Sequence, residues 1–238
     1  MKNFNKTLTF IVLCSWNNIV YLSCWCGRVP NDCRIKNIIE LNKYFKKAEE
    51  IIESIIKETT QTKPGGLPFL FFGEIPSVHS LFIKIGRNFE KWFKYIVEDC
   101  GMVLLPDGVI KNVIGNKSKD IDLLFMDTLQ KIVYYRELKS NLELDTEKLP
   151  ATYEKIKKVT EYLSKEYPEY KIDSSLMTWA VYEENDLPKK YNSKIKKCNK
   201  NGVSVSYPVD LFNLLDVSFS RDEYYDFFKK LGQKIQSL

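Results

Sequence analysis

The sequence predicts an α/β protein, a central mixed β-sheet flanked by helices, preceded by a helical N-terminal extension. Three observations carry that prediction. Apolar residues recur every three or four positions through residues 35–100, the period then shortens to that of strands, and beyond residue 148 charged helices alternate with strands. A chain of 238 residues can bury one good-sized core, so one main domain is expected over 63–238, with 1–62 as extension and helix.

The elements follow in order. Residues 1–26 hold two apolar runs, Leu8 to Trp16 and Ile19 to Cys26, separated by Asn17 and Asn18. Neither run reaches the roughly 18 apolar residues of a membrane span, and no small-x-small cleavage site follows, so no membrane association is expected. From Ile35 to Thr59, Ile38, Leu41, Phe45, Ala48, Ile52 and Ile55 mark one face of an amphipathic helix. The segment from Lys63 to Pro68, KPGGLP, breaks the chain as a loop. A second helix is predicted from Ser77, as N-cap, to Cys100, with Gly101 as its C-cap. Strands are predicted over Met102 to Leu105, Ile121 to Met126, Ile132 to Leu138 and Leu176 to Glu183, with a charged helix from Leu149 to Tyr167 before the last. Val203 to Tyr207 reads as a further short strand. Val209 to Leu215 and Arg221 to Gln236 read as closing helices.

Composition narrows the chemistry. Hydrophobic residues at 44% and charged residues at 28% are the balance of a globular chain. A net charge of +5, from 36 Lys and Arg against 31 Asp and Glu, permits a polyanionic partner without requiring one. His79 is the single histidine, which excludes His-rich metal sites and mechanisms built on two histidines. Near a helix start, it reads as structural. Of six cysteines, Cys14, Cys24, Cys26 and Cys33 crowd the first 33 residues, but their spacing lacks the paired ligands of a zinc site. Free thiols in a reducing cytoplasm are the expectation, and the localisation expected is cytoplasmic. Acid–base and metal chemistry must therefore come from carboxylates, lysines or cysteines.

One segment concentrates those groups: Lys119 to Lys148, KDIDLLFMDTLQKIVYYRELKSNLELDTEK. Two apolar strands flank the short polar stretch Asp127 to Lys131, a hairpin connection. Side chains alternate along a strand, so Glu137 and Lys139 share a face and Leu138 takes the other. If Asp127 faces Ile132 across the turn, Asp122 falls opposite Glu137, and a slip of one residue would turn it away. Asp120 shares the face of Asp122 and competes for the same role; spacing favours Asp122. Two carboxylates on one half-buried surface repel unless a cation joins them. Mg²⁺, an ion that takes oxygen ligands and keeps waters, fits that need. It could carry the attacking water and offset charge on a phosphate, with Lys139 orienting or deprotonating the water. The alternative is a set of surface ion pairs at strand ends.

Asp122, Glu137-Leu138-Lys139 and their two strands resemble the core of the PD-(D/E)XK nucleases, a superfamily that includes many type II restriction endonucleases. Ile121 stands where the motif's proline would precede Asp122. The helix GRNFEKWFKYIVEDCG, residues 86–101, is similar to the family's first core helix, and Glu90 in it takes the place of an additional metal-proximal carboxylate. Beside Lys91 and Lys94, Glu90 reads equally well as a solvated helix residue. The resemblance spans roughly Ile75 to Glu183. It implies a restriction-endonuclease-like core, with Asp122, Glu137 and Lys139 as catalytic residues and Asp122, Glu137 and Glu90 as ligands of Mg²⁺. It further implies sequence-specific cleavage of double-stranded DNA by a homodimer, since one site cuts one strand. No methyltransferase, helicase or ATP-binding segment is visible, so a companion methyltransferase encoded elsewhere is expected. Other readings are a junction resolvase or repair nuclease of the same superfamily, or a DNA-binding protein without catalysis.

A second cluster lies in Lys189 to Lys200, KKYNSKIKKCNK, with six lysines and no acid. Read as an extended loop or arm, it would place Lys189, Lys190, Lys194, Lys196 and Lys197 on phosphates and Asn192 on base edges. Arg87, one turn before Glu90, is a further candidate phosphate contact. Asp145 and Glu147, after the site, read as capping residues of the next helix. A solvated lysine loop is the plain alternative for the basic run.

Overall fold

The structure is a computed structural model that describes residues 31–59, 78–106, 121–140, 142 and 148–236, with side chains from residue 41 onward except at a few helix ends. The apolar N-terminal runs, the Lys63–Pro68 break, the Ser77 cap, Asp120, Asp145 and Glu147 lie outside those residues, as do the side chains of Cys33 and His79.

Two long helices lead. Helix α1 covers Asn31–Thr59 and α2 covers Val78–Asp99. Both follow the expected apolar spacing, and Leu41, Tyr44, Ala48, Ile52 and Ile55 of α1 are buried with Leu81, Ile85, Phe89, Trp92, Phe93 and Ile96 of α2. Trp92 donates its indole N–H to the Tyr44 carbonyl at 2.9 Å, pinning the pair. Gly101 ends α2 at φ 80, a left-handed value that its missing Cβ makes inexpensive. There Met102 N donates to Val97 O at 3.2 Å.

Strands β1 (Val103–Leu104), β2 (Leu123–Asp127) and β3 (Ile132–Lys139) run antiparallel in succession. Helix α3 (Lys148–Glu166) then crosses over to β4 (Lys171–Thr178), parallel to β3. Two short 3₁₀ turns, Glu184–Asp186 and Lys189–Tyr191, lead into α4 (Asn192–Lys200) and then β5 (Ser204–Ser206), parallel to β4. Helices α5 (Pro208–Leu214) and α6 (Arg221–Gln236) close the chain. The five strands stand in chain order across one mixed sheet, an α/β architecture with helices on its faces, as expected.

Two expectations are corrected. The strand expected over Leu176 to Glu183 instead starts at Lys171 and ends at Thr178. Its first half lacks an apolar run and is drawn into the sheet by pairing, with Ile132 opposite Lys171 and Tyr134 opposite Asp173. Past Thr178 only Trp179 and Ala180 still reach the neighbouring carbonyls, of Lys139 and Ser140. The basic run is not an extended arm. Residues 189–200 coil into a 3₁₀ turn and α4. Ile195 and Cys198, three apart, are buried, so one helical face packs while Lys196, Lys197 and Lys200 turn outward. Lysine is itself a good helix former, and no glycine or proline interrupts the stretch.

Alternation along the strands builds two cores. Leu123, Phe125, Tyr134, Leu138 and Met177 face α1, α2, α5 and α6. Leu124, Met126, Val133, Tyr135 and Leu176 face α3 and α4, meeting Tyr153, Ile156, Val159 and Leu163. Helices cover both sheet faces, and Asp122, Arg136 and Glu137 are charged groups buried beneath them. That is the condition under which the acidic residues of β2 and β3 must find partners.

Candidate active site

The turn between β2 and β3 determines which carboxylates meet. Asp127 accepts from Leu129 N at 2.8 Å and Gln130 N at 2.9 Å, and Lys131 closes the turn at φ 54. Asp127 therefore faces Ile132, Leu123 faces Arg136, and the same register carried one residue further sets Asp122 against Glu137. The expected juxtaposition is realised. Asp122 sits just before β2, where its Oδ2 accepts from Leu138 N at 2.8 Å and so caps the frayed end of the ladder. Glu137 and Lys139 project from the face that carries Tyr135, and Leu138 lies in the opposite core.

The side chains converge on one ammonium. Lys139 Nζ donates to Glu137 Oε1 at 2.8 Å, to the Leu138 carbonyl at 3.0 Å and to Asp122 Oδ2 at 3.5 Å. Glu137 is 3% exposed and Asp122 7% exposed, so neither carboxylate can rely on bulk water. The other oxygen of Glu137 is held as firmly. Tyr135 donates its hydroxyl to Oε2 at 2.9 Å, and Lys155 of α3 lies 2.5 Å from the same atom. Sequence reasoning missed both residues. Tyr135 had a signal, standing two positions before Glu137 on the same strand face. Lys155 had none that separates it from Lys157 and Lys158.

The ionisation pattern follows from this crowding. Burial pushes the Asp122 carboxyl up and the Glu137 charge adds to that, against the opposing pull of Lys139, Lys155 and the Leu138 N–H. At Glu137 burial acts in the same upward direction, but the two ammonium groups outweigh it and hold the carboxyl below its ordinary value. Lys139 is held above its ordinary value: desolvation opposes its charge, and the Glu137 and Asp122 carboxylates more than offset it. Tyr135 is raised by burial and by Glu137, and stays a donor.

Glu90 belongs to the same electrostatic neighbourhood. Burial, then the charges of Asp122 and Glu137, push it up to about 7, while Lys94 and Lys139 pull it down. It is half-buried on α2, not the fully solvated residue of the plainer reading. Among the described residues, no three His, Cys, Asp or Glu side chains lie close enough together to hold a metal ion between them. A cation here would be met by the oxygens now around Lys139 Nζ: two carboxylates and a backbone carbonyl. All are hard oxygen donors, the kind Mg²⁺ takes, with water completing its shell. The donor set fits that ion.

The predicted DNA-contacting residues are mostly surface groups. Lys189, Lys190, Asn192, Lys196 and Lys197 are exposed, Lys194 is half-buried with its Nζ donating to the Leu142 carbonyl at 2.8 Å, and Arg87 is exposed on α2. A cleft of about 380 Å³ between α3 and α4 is lined in part by Tyr153, Lys157, Lys194, Lys197 and Asn201. The Lys194 bond to Leu142 ties α4 to the segment that leaves β3 beyond Lys139. No helix among the described residues is long and apolar enough to cross a membrane. Comparison with protein-family models, with curated proteins and with solved structures gives no match.

Proposed function

We propose that this chain is a Mg²⁺-dependent deoxyribonuclease with a PD-(D/E)XK-type, restriction-endonuclease-like core, acting as a type II restriction endonuclease on double-stranded DNA. The observation that carries the reading is the meeting of Asp122 and Glu137 across the β2–β3 register, with Lys139 Nζ between them. Two buried carboxylates aimed at one point are costly in a protein with no use for a cation there. A mixed sheet that presents them from adjacent strands is the scaffold such a site needs.

Asp122 and Glu137 would hold the ion, with Glu90 near enough to add charge. When bound, Mg²⁺ lowers the pKa of a coordinated water and offsets charge developing on the scissile phosphate. Lys139 would direct its N–H donors at the attacking water and the phosphoryl oxygens. Tyr135 and Lys155 keep Glu137 from rotating. The exposed lysines of α4, with Arg87, supply phosphate contacts whose strength falls with salt. A two-fold DNA site would be served by a homodimer, and self-protection of the host genome by a companion methyltransferase.

One observation favours the inert reading: two ammonium groups already answer the two carboxylates, so the network is charge-balanced without a metal. The deciding experiment is incubation of the purified protein with unmethylated plasmid in Mg²⁺ and in EDTA. Discrete fragments in Mg²⁺ alone are expected. Cutting confined to branched DNA would indicate a resolvase, and no cutting under any divalent ion would indicate the non-catalytic protein.

A further inference from the structure

We propose that Lys155, on α3, is a positioning residue that competes with the bound cation for Glu137 and restricts that carboxylate to a single oxygen toward the site. The inference rests on the nuclease reading above and deepens it. Its support is geometric. Lys155 Nζ lies 2.5 Å from Glu137 Oε2, and its side chain is only 11% exposed although it belongs to a lysine-rich helix. Neighbouring Lys158 instead turns outward to Glu154, at 2.6 Å and 44% exposed. Burying the lysine head of Lys155 while Lys158 stays outside calls for a charged partner, and Glu137 supplies one.

The consequence lies in how the two oxygens of Glu137 are divided. Oε2 is held by Tyr135 and Lys155; Oε1 faces Lys139 and, through it, Asp122. A carboxylate so gripped offers one oxygen in one direction. It also carries an adjacent positive charge that weakens its attraction for a second cation. Lys155 thus lowers metal affinity while it sharpens the aim of Glu137.

The test compares wild type with Lys155→Met and Lys155→Arg. Mg²⁺ and Mn²⁺ binding to the protein alone is measured by calorimetry, and cleavage is measured at saturating metal. Removing the charge should tighten metal binding by about tenfold, since a unit charge a few ångströms from the ion is lost, and should lower kcat at saturation. Lys155→Arg should return both values toward wild type. If Lys155→Met folds and binds metal no tighter than wild type, the proposal is overturned. If it does not fold, Lys155→Gln carries the same comparison, because it keeps a donor to Glu137 without the charge. Wild type that binds neither ion would sink the nuclease reading itself, an outcome distinct from unchanged affinity in the variant.

Discussion

Glu90→Gln gives the most direct measure of the electrostatic field around the paired carboxylates. Burial, Asp122 and Glu137 raise the Glu90 carboxyl from an ordinary 4.5 to about 7. Between those two pH values the folded protein binds more protons at this position than the unfolded chain. Stability contributed by the protonated form is therefore lost as pH rises through that window. At roughly 1.4 kcal/mol per pH unit the full interval corresponds to about 3 kcal/mol. Glu90 is only half-buried, and solvent screening brings the expected effect down to about 1–2 kcal/mol. Glutamine keeps the shape and removes the ionisation. The substitution should leave stability at pH 5 nearly unchanged and raise it by about 1–2 kcal/mol at pH 8. Urea unfolding in EDTA at the two pH values reads this difference. Adding Mg²⁺ at pH 8 should stabilise wild type more than the variant. Equal stability of the two proteins at pH 8, or a gain confined to pH 5, would refute the placement of Glu90 in the field of Asp122 and Glu137.

Further outcomes follow from the same geometry. Lys139→Met removes the ammonium between two nearly buried carboxylates and should destabilise the EDTA-treated protein by about 3–5 kcal/mol. Divalent metal should restore most of that loss in thermal melts, and cleavage should fall by several orders of magnitude. Glu137→Ala should abolish cleavage and, in binding isotherms, metal uptake, while leaving DNA affinity within about twofold because the phosphate contacts lie elsewhere. Replacing Lys196 and Lys197 together by glutamate should weaken DNA binding uniformly across sequences and flatten the salt dependence by about one unit of slope per lysine; unchanged slope would remove α4 from the interface. Trp92→Ala deletes a fully buried ring and the donor to Tyr44, and should cost about 3–5 kcal/mol in chemical denaturation without altering the metal isotherm.

Much of this centre was legible in the sequence because strand alternation and a short turn are strong local constraints. Once Asp127 and Ile132 are taken as the flanks of the turn, the opposition of Asp122 and Glu137 follows by counting, and the structure has the register that the count needs, from Asp127 opposite Ile132 to Leu123 opposite Arg136. Helix positions were equally readable where apolar residues recur at helical spacing, as in α1, α2 and α6. Two features resisted for physical reasons. The start of β4, Lys171 to Ser174, is recruited by parallel pairing with β3, a long-range interaction with no local trace. Residues 189–200 look like a charged loop because six lysines mask the two apolar residues that bury the face of α4. Lys155 illustrates a further limit: which lysine of a basic helix turns inward depends on what lies across from it, and Glu137 is reached only through the crossover.

The Asp127 turn also carries a consequence for how this chain can change over time. The first four residues of β2 send alternate side chains into two different interiors. Adding one residue between Asp122 and the turn would carry the aspartate over to the face of Phe125 and Tyr134, away from Lys139 and Lys155. Adding two would restore its side but slide it about 7 Å along the sheet, beyond reach of Glu137. Descendants of this sequence can thus vary the tip of the hairpin, where Leu129 stands 94% exposed, far more freely than the length of the strand behind it.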